Sequence, residues 1–345
     1  MRRLSEKLFR CVDRIVEEGL NRIYPGATLL IGWPDEIVYE KAYGTLDFER
    51  KTNIDTIYDL ASVTKVVATT TAVMKLFSEG YLHLHDTVGR FLNVEKPKAD
   101  ITILQLLSHT SGMQPYSELW KCFRGRELLE EIVKIQPVEE PGKKIVYSCL
   151  NFTTLMAIVE RITNQRFDEF IYAIFEPLGM KNTRFSPGYA ENTAPTSERD
   201  GKRLVGLADD ELAYYLGGVS GNAGLFSNVR DLFTFMSSLL TGKIAPKPVV
   251  KLFTQTIVEA SNGKRHLGWM CPASGTSSGD MLTEKAFGHS GFTGTTIWCR
   301  QDGLFVIFLT NKGFIKRHEE EIMRIRALLH NVVFLNIDER KELFD

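Results

Sequence analysis

The N-terminal part of the chain shows a helical pattern of apolar residues followed by two strand patterns. Over residues 4–20, apolar and charged positions fall on opposite sides of a helix, which predicts an amphipathic surface helix. Residues 27–32 and 36–43 are rich in strand-forming residues, and residues 33–35 between them are typical of a turn. The sequence therefore predicts a terminal helix and a hairpin here.

The C-terminal part contains the same kinds of element. Residues 295–300 and 304–310 predict two strands, and residues 301–303 (Gln-Asp-Gly) between them are a strong hairpin signal. Residues 318–333 then have helical spacing with one apolar side. A strand pair beside a terminal helix is thus predicted at each end of the chain.

The middle of the chain mostly has helical spacing, and two further segments read as loops. The loops are the polar residues 186–206 and the Ser- and Gly-rich residues 272–280. The predicted helices cover residues 63–79, 102–108, 126–135, 151–163 and 167–176.

This order of elements predicts an α+β fold. The chain has 345 residues, more than a single core usually holds, so two lobes are expected. The hairpins from both ends join in one antiparallel sheet covered by the terminal helices, and the helical middle forms the second lobe. We predict an α/β lobe from 1–61 and 186–345, a mostly helical lobe from 62–185, and an active site at their junction.

Composition narrows the classes of partner. The 42 Lys+Arg nearly balance the 43 Asp+Glu, and no charge block indicates a nucleic-acid partner. No apolar run reaches membrane-spanning length, and the basic start lacks the apolar stretch of a signal peptide. The five cysteines are odd in number and include no Cys-x-x-Cys pair, which favours reduced thiols. These features predict a cytoplasmic protein with neither a nucleic-acid nor a membrane partner.

Residues 62–65 (Ser-Val-Thr-Lys) place a hydroxyl and an amine one helical turn apart, before a buried helical pattern. Backbone N–H groups at a helix start stabilise an oxyanion, and a buried lysine readily loses its charge and can then accept a proton. Residues 261–264 (Ser-Asn-Gly-Lys) have the same spacing, but Asn-Gly indicates an exposed turn. From the pattern alone, Ser62 is either a nucleophile or part of an ordinary buried helix start.

Two other segments carry candidate chemistry. Tyr147 follows two lysines and precedes a predicted helix, so it is either a general base or a packing or capping residue. His289 lies in the glycine-rich residues 288–295 and can donate a hydrogen bond or relay a proton, with a structural role as the alternative. His83 and His85 lack the additional ligands of a metal site, so we predict no metal.

Taken in order, six segments resemble those of the serine β-lactamase-like superfamily of penicillin-binding proteins, class C β-lactamases and family VIII carboxylesterases. The resemblance extends over nearly the whole chain. It implies a β-lactamase/transpeptidase-like fold and an acyl-enzyme mechanism with no metal or cofactor. The segments are 25–27 (Pro-Gly-Ala), 59–65 (Asp-Leu-Ala-Ser-Val-Thr-Lys), 106–112 (Leu-Leu-Ser-His-Thr-Ser-Gly), 147–148 (Tyr-Ser), 221–227 (Gly-Asn-Ala-Gly-Leu-Phe-Ser) and 288–295 (Gly-His-Ser-Gly-Phe-Thr-Gly-Thr).

The resemblance implies a role for each candidate residue. Ser62 is the acylated nucleophile, and Lys65 accepts its proton or holds the network that does. Tyr147 is the base of acylation and deacylation, and His289 takes the place of the lysine in a Lys-Thr-Gly motif. The backbone N–H groups of Ser62 and Phe292 form the oxyanion hole, usually the largest single contribution to such catalysis.

Two departures from the family pattern bear on the substrate. Cys149 stands where the family usually has the asparagine of Tyr-x-Asn, and a thiol is a weaker hydrogen-bond partner than an amide. His289 is mostly neutral at pH 7, so it attracts a substrate carboxylate less than a lysine does. Cys149, Ser290 and Gly291 are the candidate residues of the substrate pocket.

These departures favour a serine hydrolase of carboxylesterase type that acts on a small-molecule ester or amide substrate, with small esters preferred. A β-lactamase or D-alanyl peptidase is the alternative, and it needs an exported protein to reach peptidoglycan. A non-catalytic acyl-binding or sensor module on the same scaffold is a third hypothesis, because Cys149 replaces a residue that active relatives carry.

Overall fold

A computed structural model describes residues 6–315, 319–338 and 343–344, without the side chain of Glu319. Residues 4, 5 and 318 of the predicted terminal helices lie outside this part. The helices are α1 (Glu6–Gly19), α2 (Thr71–Ser78), α3 (Val88–Phe91), α4 (Ile103–Leu107), α5 (Gly125–Lys134), α6 (Cys149–Thr163), α7 (Phe167–Phe175), α8 (Glu211–Tyr215), α9 (Val229–Leu240), α10 (Lys247–Gln255) and α11 (Glu319–Asn336). The strands are β1 (Gly26–Trp33), β2 (Glu36–Gly44), β3 (Tyr58–Asp59), β4 (Arg184–Phe185), β5 (Glu198–Arg199), β6 (Lys202–Arg203), β7 (Leu225–Ser227), β8 (Val258–Ala260), β9 (Gly263–Arg265), β10 (Phe287–Ser290), β11 (Thr296–Cys299) and β12 (Phe305–Thr310).

The two ends of the chain meet in one five-stranded antiparallel sheet. Its strand order is β10-β11-β12-β1-β2, and β1 pairs with β12 from Ala27 opposite Thr310 to Gly32 opposite Phe305. The predicted α+β fold, with a sheet built from both chain ends, is therefore confirmed. A smaller sheet has the strand order β3-β7-β4, and β3 comes directly before the turn that carries Ser62.

Both faces of the main sheet are covered, which explains why its central strands are apolar throughout. Along β1, Leu29 and Ile31 point into a core shared with α1 and α11, as the prediction of covering terminal helices requires. Leu30 lies between them and points to the opposite face, into a larger core shared with α2, α6 and α9. Alternate residues of one strand thus serve two cores.

The predicted helix over 63–79 is present but is not α-helical at its start. A 3-10 turn covers Ala61–Val63, and a π-helix over Lys65–Thr70 precedes α2. The hydroxyl of Thr70 donates to the carbonyl of Lys65 at 2.9 Å, and the Thr71 hydroxyl donates to Val66 at 3.2 Å. Both bonds reach back five residues and so support the wider turn.

Between residue 186 and the C-terminal helix the sequence pattern predicted only loops and strands, so α9 and α10 were not predicted. α9 contacts β1 and β12 and covers the second face of the sheet. The predicted loop 186–206 contains the short hairpin of β5 and β6, whereas 272–280 has no helix or strand. The bounds proposed for the two lobes stay a prediction. Among the described residues, no helix combines the length and apolar character needed to cross a membrane.

Candidate active site

Ser62 lies in a sharp turn between β3 and the π-helix. The preceding residue, Ala61, has a left-handed φ of 46°, and its N–H donates to the Asp59 carboxylate at 2.8 Å. Burial, together with the Asp209 carboxylate, raises the pKa of Asp59 to about 7. The first helical hydrogen bond of the turn runs from Val63 N–H to Leu60 O at 3.0 Å. The Ser62 N–H comes before this bond and has no hydrogen-bond acceptor within the described part of the chain.

Lys65 is fully buried and points at the nucleophile candidate. Its Nζ is 3.0 Å from the Ser62 Oγ and 2.9 Å from the main-chain oxygen of Asn222. The Tyr147 ring centroid lies 4.9 Å from the same nitrogen. Segments far apart in sequence thus converge on one ammonium group.

The pKa of Lys65 differs from the sequence expectation. Burial by itself lowers it, but the charges that Cys149 and Tyr147 acquire on ionisation raise it, and the balance lies above the ordinary lysine value. This direction favours the charged form of Lys65. A charged amine cannot take the proton of Ser62. The upward shift in the pKa of Lys65 therefore favours the second role that the resemblance implies for this residue, which is to hold the hydrogen-bond network around Ser62.

Tyr147 lies just before α6 and is fixed by its neighbours. Its ring packs against His109 at 4.6 Å and lies 6.1 Å from His289, measured between ring centroids. The N–H of Ser148 donates to the Nδ1 of His109 at 3.0 Å. His109 therefore holds the segment that carries the phenol, although it is not itself in the cleft.

His289 is a buried residue of β10 whose ring is oriented by its own backbone. Its Nδ1 is 2.9 Å from the carbonyl oxygen of Ser290, and a carbonyl only accepts, so Nδ1 carries the hydrogen. The Nε2 is buried without a partner among the described residues. Burial, with the nearby cations Arg265 and Lys65, holds the pKa of His289 far below its usual value. The ring is thus a neutral acceptor, and it does not titrate near neutral pH as the sequence led us to expect.

The loop after β10 places Phe292 beside the nucleophile turn. Within the described part of the chain, the Phe292 N–H has no acceptor. A side chain at Gly291 would lie 2.5 Å from the Leu60 carbonyl and 3.2 Å from the Ala61 Cβ. Only glycine allows the loop to pack this closely on the turn that carries Ser62.

Cys149 and Ser290, two of the predicted pocket residues, already have neighbours within the protein. The Cys149 Sγ is 3.7 Å from the Lys65 Nζ, and burial raises the pKa of the Cys149 thiol, so it stays neutral. The Ser290 hydroxyl shares a 2.8 Å hydrogen bond with Ser277. Cys149 thus contacts the lysine more weakly than the Asn222 carbonyl does.

Two clefts meet at Ser62 and Phe292, which line both of them. One has a volume of about 510 Å³ and contains Tyr147, Arg265 and His289 in its wall. The predicted pocket residues Ser290 and Gly291 also line it. The other measures about 570 Å³, and its wall is rich in acidic side chains, namely Glu198, Asp200, Asp209, Asp210 and Glu211.

Arg265, at the end of β9, is a site residue that sequence reasoning missed. Its guanidinium carbon lies 5.4 Å from the Tyr147 ring centroid, and its Nη1 is buried without a hydrogen-bond partner among the described residues. A single arginine in a short hairpin gives no local signal of such a position. The neighbouring Lys264 is exposed and pairs with Glu284 at 2.7 Å, as the prediction of a surface turn requires.

Known proteins share this sequence pattern. Residues 12–330 match the model of the Beta-lactamase family. A protein of Escherichia coli strain K12 with the name "Putative D-alanyl-D-alanine carboxypeptidase" is 32% identical over 358 aligned residues, which cover 87% of this chain and 81% of that protein.

Solved structures share the fold. EstCE1, a hydrolase with promiscuous acyltransferase activity, superposes with a TM-score of 0.74 at 20% identity, over 95% of this chain and 99% of that one. The octameric penicillin-binding protein homologue from Pyrococcus abyssi gives a TM-score of 0.71 at 23% identity, over 97% of this chain and 79% of that one. The chain belongs to the beta-lactamase family and is a serine hydrolase with the β-lactamase/transpeptidase-like fold.

Proposed function

We propose that Ser62 attacks an acyl substrate and forms an acyl-enzyme that water then hydrolyses. The observation that carries this proposal is the 3.0 Å contact between the Lys65 Nζ and the Ser62 Oγ, at the point where two clefts meet. A charged amine next to a hydroxyl stabilises the alkoxide that forms when the hydroxyl loses its proton. We also propose that this point is the junction of the lobes 1–61 with 186–345 and 62–185.

Acylation needs a base, and Tyr147 is our candidate for it. In this step Tyr147 acts as the phenolate, which the Lys65 Nζ 4.9 Å from its ring centroid favours, and its oxygen takes the proton of Ser62 as the Ser62 Oγ bonds to the acyl carbon. The same proton then passes to the leaving group as its bond to the acyl carbon breaks. The N–H groups of Ser62 and Phe292 hold the oxygen that becomes negative.

Deacylation repeats these roles with water in place of the hydroxyl. Tyr147 takes a proton from the water as the water oxygen bonds to the acyl carbon. When the bond between the acyl carbon and the Ser62 Oγ breaks, the proton returns to that oxygen. In both steps Lys65 holds the Ser62 oxygen through its Nζ, which the Asn222 carbonyl keeps in place.

Arg265 favours substrates that carry a carboxylate. It supplies a half-buried cation to the cleft that holds Ser62, and no carboxylate of the described residues pairs with it. A planar guanidinium with a free N–H edge is suited to bind a carboxylate. Because the Escherichia coli relative is named for a carboxypeptidase of D-alanyl-D-alanine, we propose peptides that end in D-alanyl-D-alanine as the leading substrate class.

Small neutral esters are the second candidate, and Cys149 supports them. The thiol contacts Lys65 at 3.7 Å and offers a substrate amide no strong hydrogen-bond partner. An ester lacks the N–H that such a partner would bind. A non-catalytic acyl-binding module is the third hypothesis. Fluorophosphonate labelling distinguishes it from both enzyme hypotheses.

The first experiment tests the nucleophile. The protein is treated with a fluorophosphonate, and the modified residue is identified by peptide mass spectrometry. We expect one adduct at Ser62, no adduct in Ser62→Ala, and a loss of ester turnover of at least about 10³-fold in that variant. A matched Ser261→Ala variant, altered in the exposed turn, should behave like the parent. An unlabelled parent protein would favour the acyl-binding module.

The second experiment tests the substrate class. Turnover is measured for a peptide ending in D-alanyl-D-alanine, for the same peptide with an amidated C-terminus, for nitrocefin and for p-nitrophenyl acetate. Preference for the free carboxylate by about 10-fold or more in kcat/KM supports the leading class. Equal turnover of both peptides, with faster ester cleavage, supports the esterase. Nitrocefin hydrolysis ahead of all others would instead indicate a β-lactamase.

A further inference from the structure

Two threonine hydroxyls connect the loop that carries Phe292 to the turn that carries Ser62. The Thr293 Oγ1 donates to the main-chain oxygen of Asp59 at 2.7 Å, and the Thr295 Oγ1 donates to that of Leu60 at 3.0 Å. Both threonines are fully buried. The two bonds therefore join the backbone just before Ser62 to the backbone just after Phe292, the two residues whose N–H groups are assigned to the oxyanion hole.

The Asp59 side chain holds the same turn from the other side. One oxygen of its carboxylate accepts the N–H of Ala61, and the second accepts the N–H of Asp209, each at 2.8 Å. The first bond closes a turn around the left-handed Ala61, a conformation that costs a non-glycine residue about 1 kcal/mol or more. Asp59 thus stabilises the strained residue directly before Ser62.

The far side of the Phe292 loop is fixed by a buried arginine of α11. The guanidinium of Arg326 donates to the carbonyl of Gly291 at 2.6 Å, and to those of Gly294 and Thr295 at 3.1 Å. Its contacts are all to backbone, so its effect is on the shape of the loop. Arg326 thus holds one side of the loop. The hydroxyls of Thr293 and Thr295 connect its other side to the turn that carries Ser62.

We propose that Asp59, Thr293 and Thr295 are positioning residues that set the distance between the two N–H groups of the oxyanion hole. This inference rests on the proposed function of Ser62 and Phe292, and we call the three residues the oxyanion clamp. An oxyanion hole works because its donors are already in place when charge develops on the substrate oxygen. A displacement of about 1 Å can cost about 100-fold in rate, so the clamp acts on kcat and not on substrate binding.

The test replaces each threonine with valine, which removes the hydroxyl and keeps nearly the same side-chain volume. Thr293→Val, Thr295→Val and the double variant are compared with the parent for p-nitrophenyl acetate turnover, for the rate of fluorophosphonate labelling at Ser62 and for inhibition by phenylboronic acid. We expect kcat and the labelling rate to fall by about 10-fold in each single variant and about 100-fold in the double, with KM changed less than about 3-fold. Affinity for the boronic acid, whose adduct is tetrahedral, should fall in proportion.

Two controls separate positioning from stability. Thr254→Val removes a buried hydroxyl that donates to the Val250 carbonyl at 2.8 Å on α10, away from both clefts. It should lower Tm about as much as Thr293→Val and leave the labelling rate unchanged. Thr293→Ser and Thr295→Ser keep the hydroxyl and should restore the rate to within about 3-fold of the parent. Asp59→Asn, which has one acceptor oxygen in place of two, should lower kcat by about 10-fold.

The outcomes are distinct for the clamp and for the proposed function. If the parent is labelled at Ser62 but the valine variants keep its kcat and labelling rate, the clamp is wrong and the nucleophile assignment stands. The clamp is also wrong, and the nucleophile assignment stands, if the valine variants change KM and keep the kcat of the parent. If the parent is not labelled at Ser62, the proposed function is wrong, and the clamp is wrong with it.

Discussion

Lys65 and Lys98 are both fully buried, yet their surroundings shift their pKa values in opposite directions. Lys65 contacts the Ser62 hydroxyl and the Asn222 carbonyl and lies beside two groups that can become negative, so its pKa rises. Lys98 donates to the Thr154 hydroxyl at 3.1 Å and contacts the sulfur of Met113 at 3.6 Å.

Burial alone lowers the pKa of Lys98 to about 7. The comparison shows that burial alone does not set the direction in which the pKa of a lysine shifts in this protein, because the partners decide whether burial is compensated. The charged form of Lys65 is stabilised where the chemistry needs a cation, and the charged form of Lys98 is destabilised in a helical core.

The largest expected effect comes from removing each lysine in turn. Lys65→Met should lower kcat/KM for p-nitrophenyl acetate by about 10³-fold, because the alkoxide of Ser62 loses its neighbouring positive charge. Lys98→Met, a substitution of similar size at an equally buried position, should leave kcat/KM within about 2-fold of the parent. A comparable loss in both variants would mean that Lys65 acts through packing and not through its charge.

Lys98 should instead make stability depend on pH. Its pKa is about 7 in the folded protein and near the ordinary 10.5 in the unfolded chain, so the unfolded state binds more protons between these values. The free energy of unfolding should therefore rise as pH increases from about 7 towards 10. Lys98→Met should raise it by roughly 1–3 kcal/mol at pH 7 and flatten this rise.

Urea denaturation at pH 7 and pH 9 measures the effect, and Lys75→Met, at a more exposed lysine, is the control. A parallel pH dependence in the Lys98→Met variant and the parent would contradict the assignment.

Arg265 is the third cation in this comparison. Its Nη1 has neither a carboxylate nor a hydroxyl partner among the described residues. Arg265→Gln should raise KM about 10- to 30-fold for a peptide that ends in a free carboxylate, because one charge-assisted contact is lost. KM for p-nitrophenyl acetate should stay within about 2-fold. The exposed Arg90→Gln is the matched control, and equal changes for both substrates would show that Arg265 shapes the cleft without binding the carboxylate.

The smallest expected effect concerns the thiol beside Lys65. Cys149→Asn supplies an amide oxygen where the Sγ now lies 3.7 Å from the Nζ, and an amide is the stronger partner. Turnover of the D-alanyl-D-alanine peptide should rise by about 3- to 10-fold, with ester turnover changed less. Cys149→Ala, which removes the thiol without adding an amide, provides the comparison. Equal rates for both variants on the peptide would show that the thiol does not limit amide substrates.

The elements of the sheet and of the helical middle could be predicted from local pattern because both obey simple periods. Alternate residues of β1 serve opposite cores, and the helices repeat their apolar residues every three to four positions. The prediction missed α9, the helix that covers the second face of the sheet, and it did not foresee the π-helix before α2. That π-helix depends on threonine hydroxyls that bond to carbonyls five residues back, a choice that periodicity does not show.

The residues of the candidate site likewise include some that local spacing predicts and others that it does not. The spacing of Ser62 and Lys65 predicts that they share a helix face, and the structure places their functional atoms 3.0 Å apart. The approach of Arg265, from a hairpin some two hundred residues later, has no such local signal. The neutral state of His289, in which Nε2 is an acceptor, also depends on burial and on cations from other segments.

By itself, the sequence determined which residues are neighbours along a helix or a strand, because local geometry repeats over a few residues. It also contained the family's segments in order, and with them the candidates Ser62, Lys65, Tyr147, His289 and Phe292. Only the tertiary structure decided which charges survive burial, which cation faces the cleft, and how the loop of Phe292 meets the turn of Ser62. These properties depend on long-range packing, which sets the desolvation and the partners of each group.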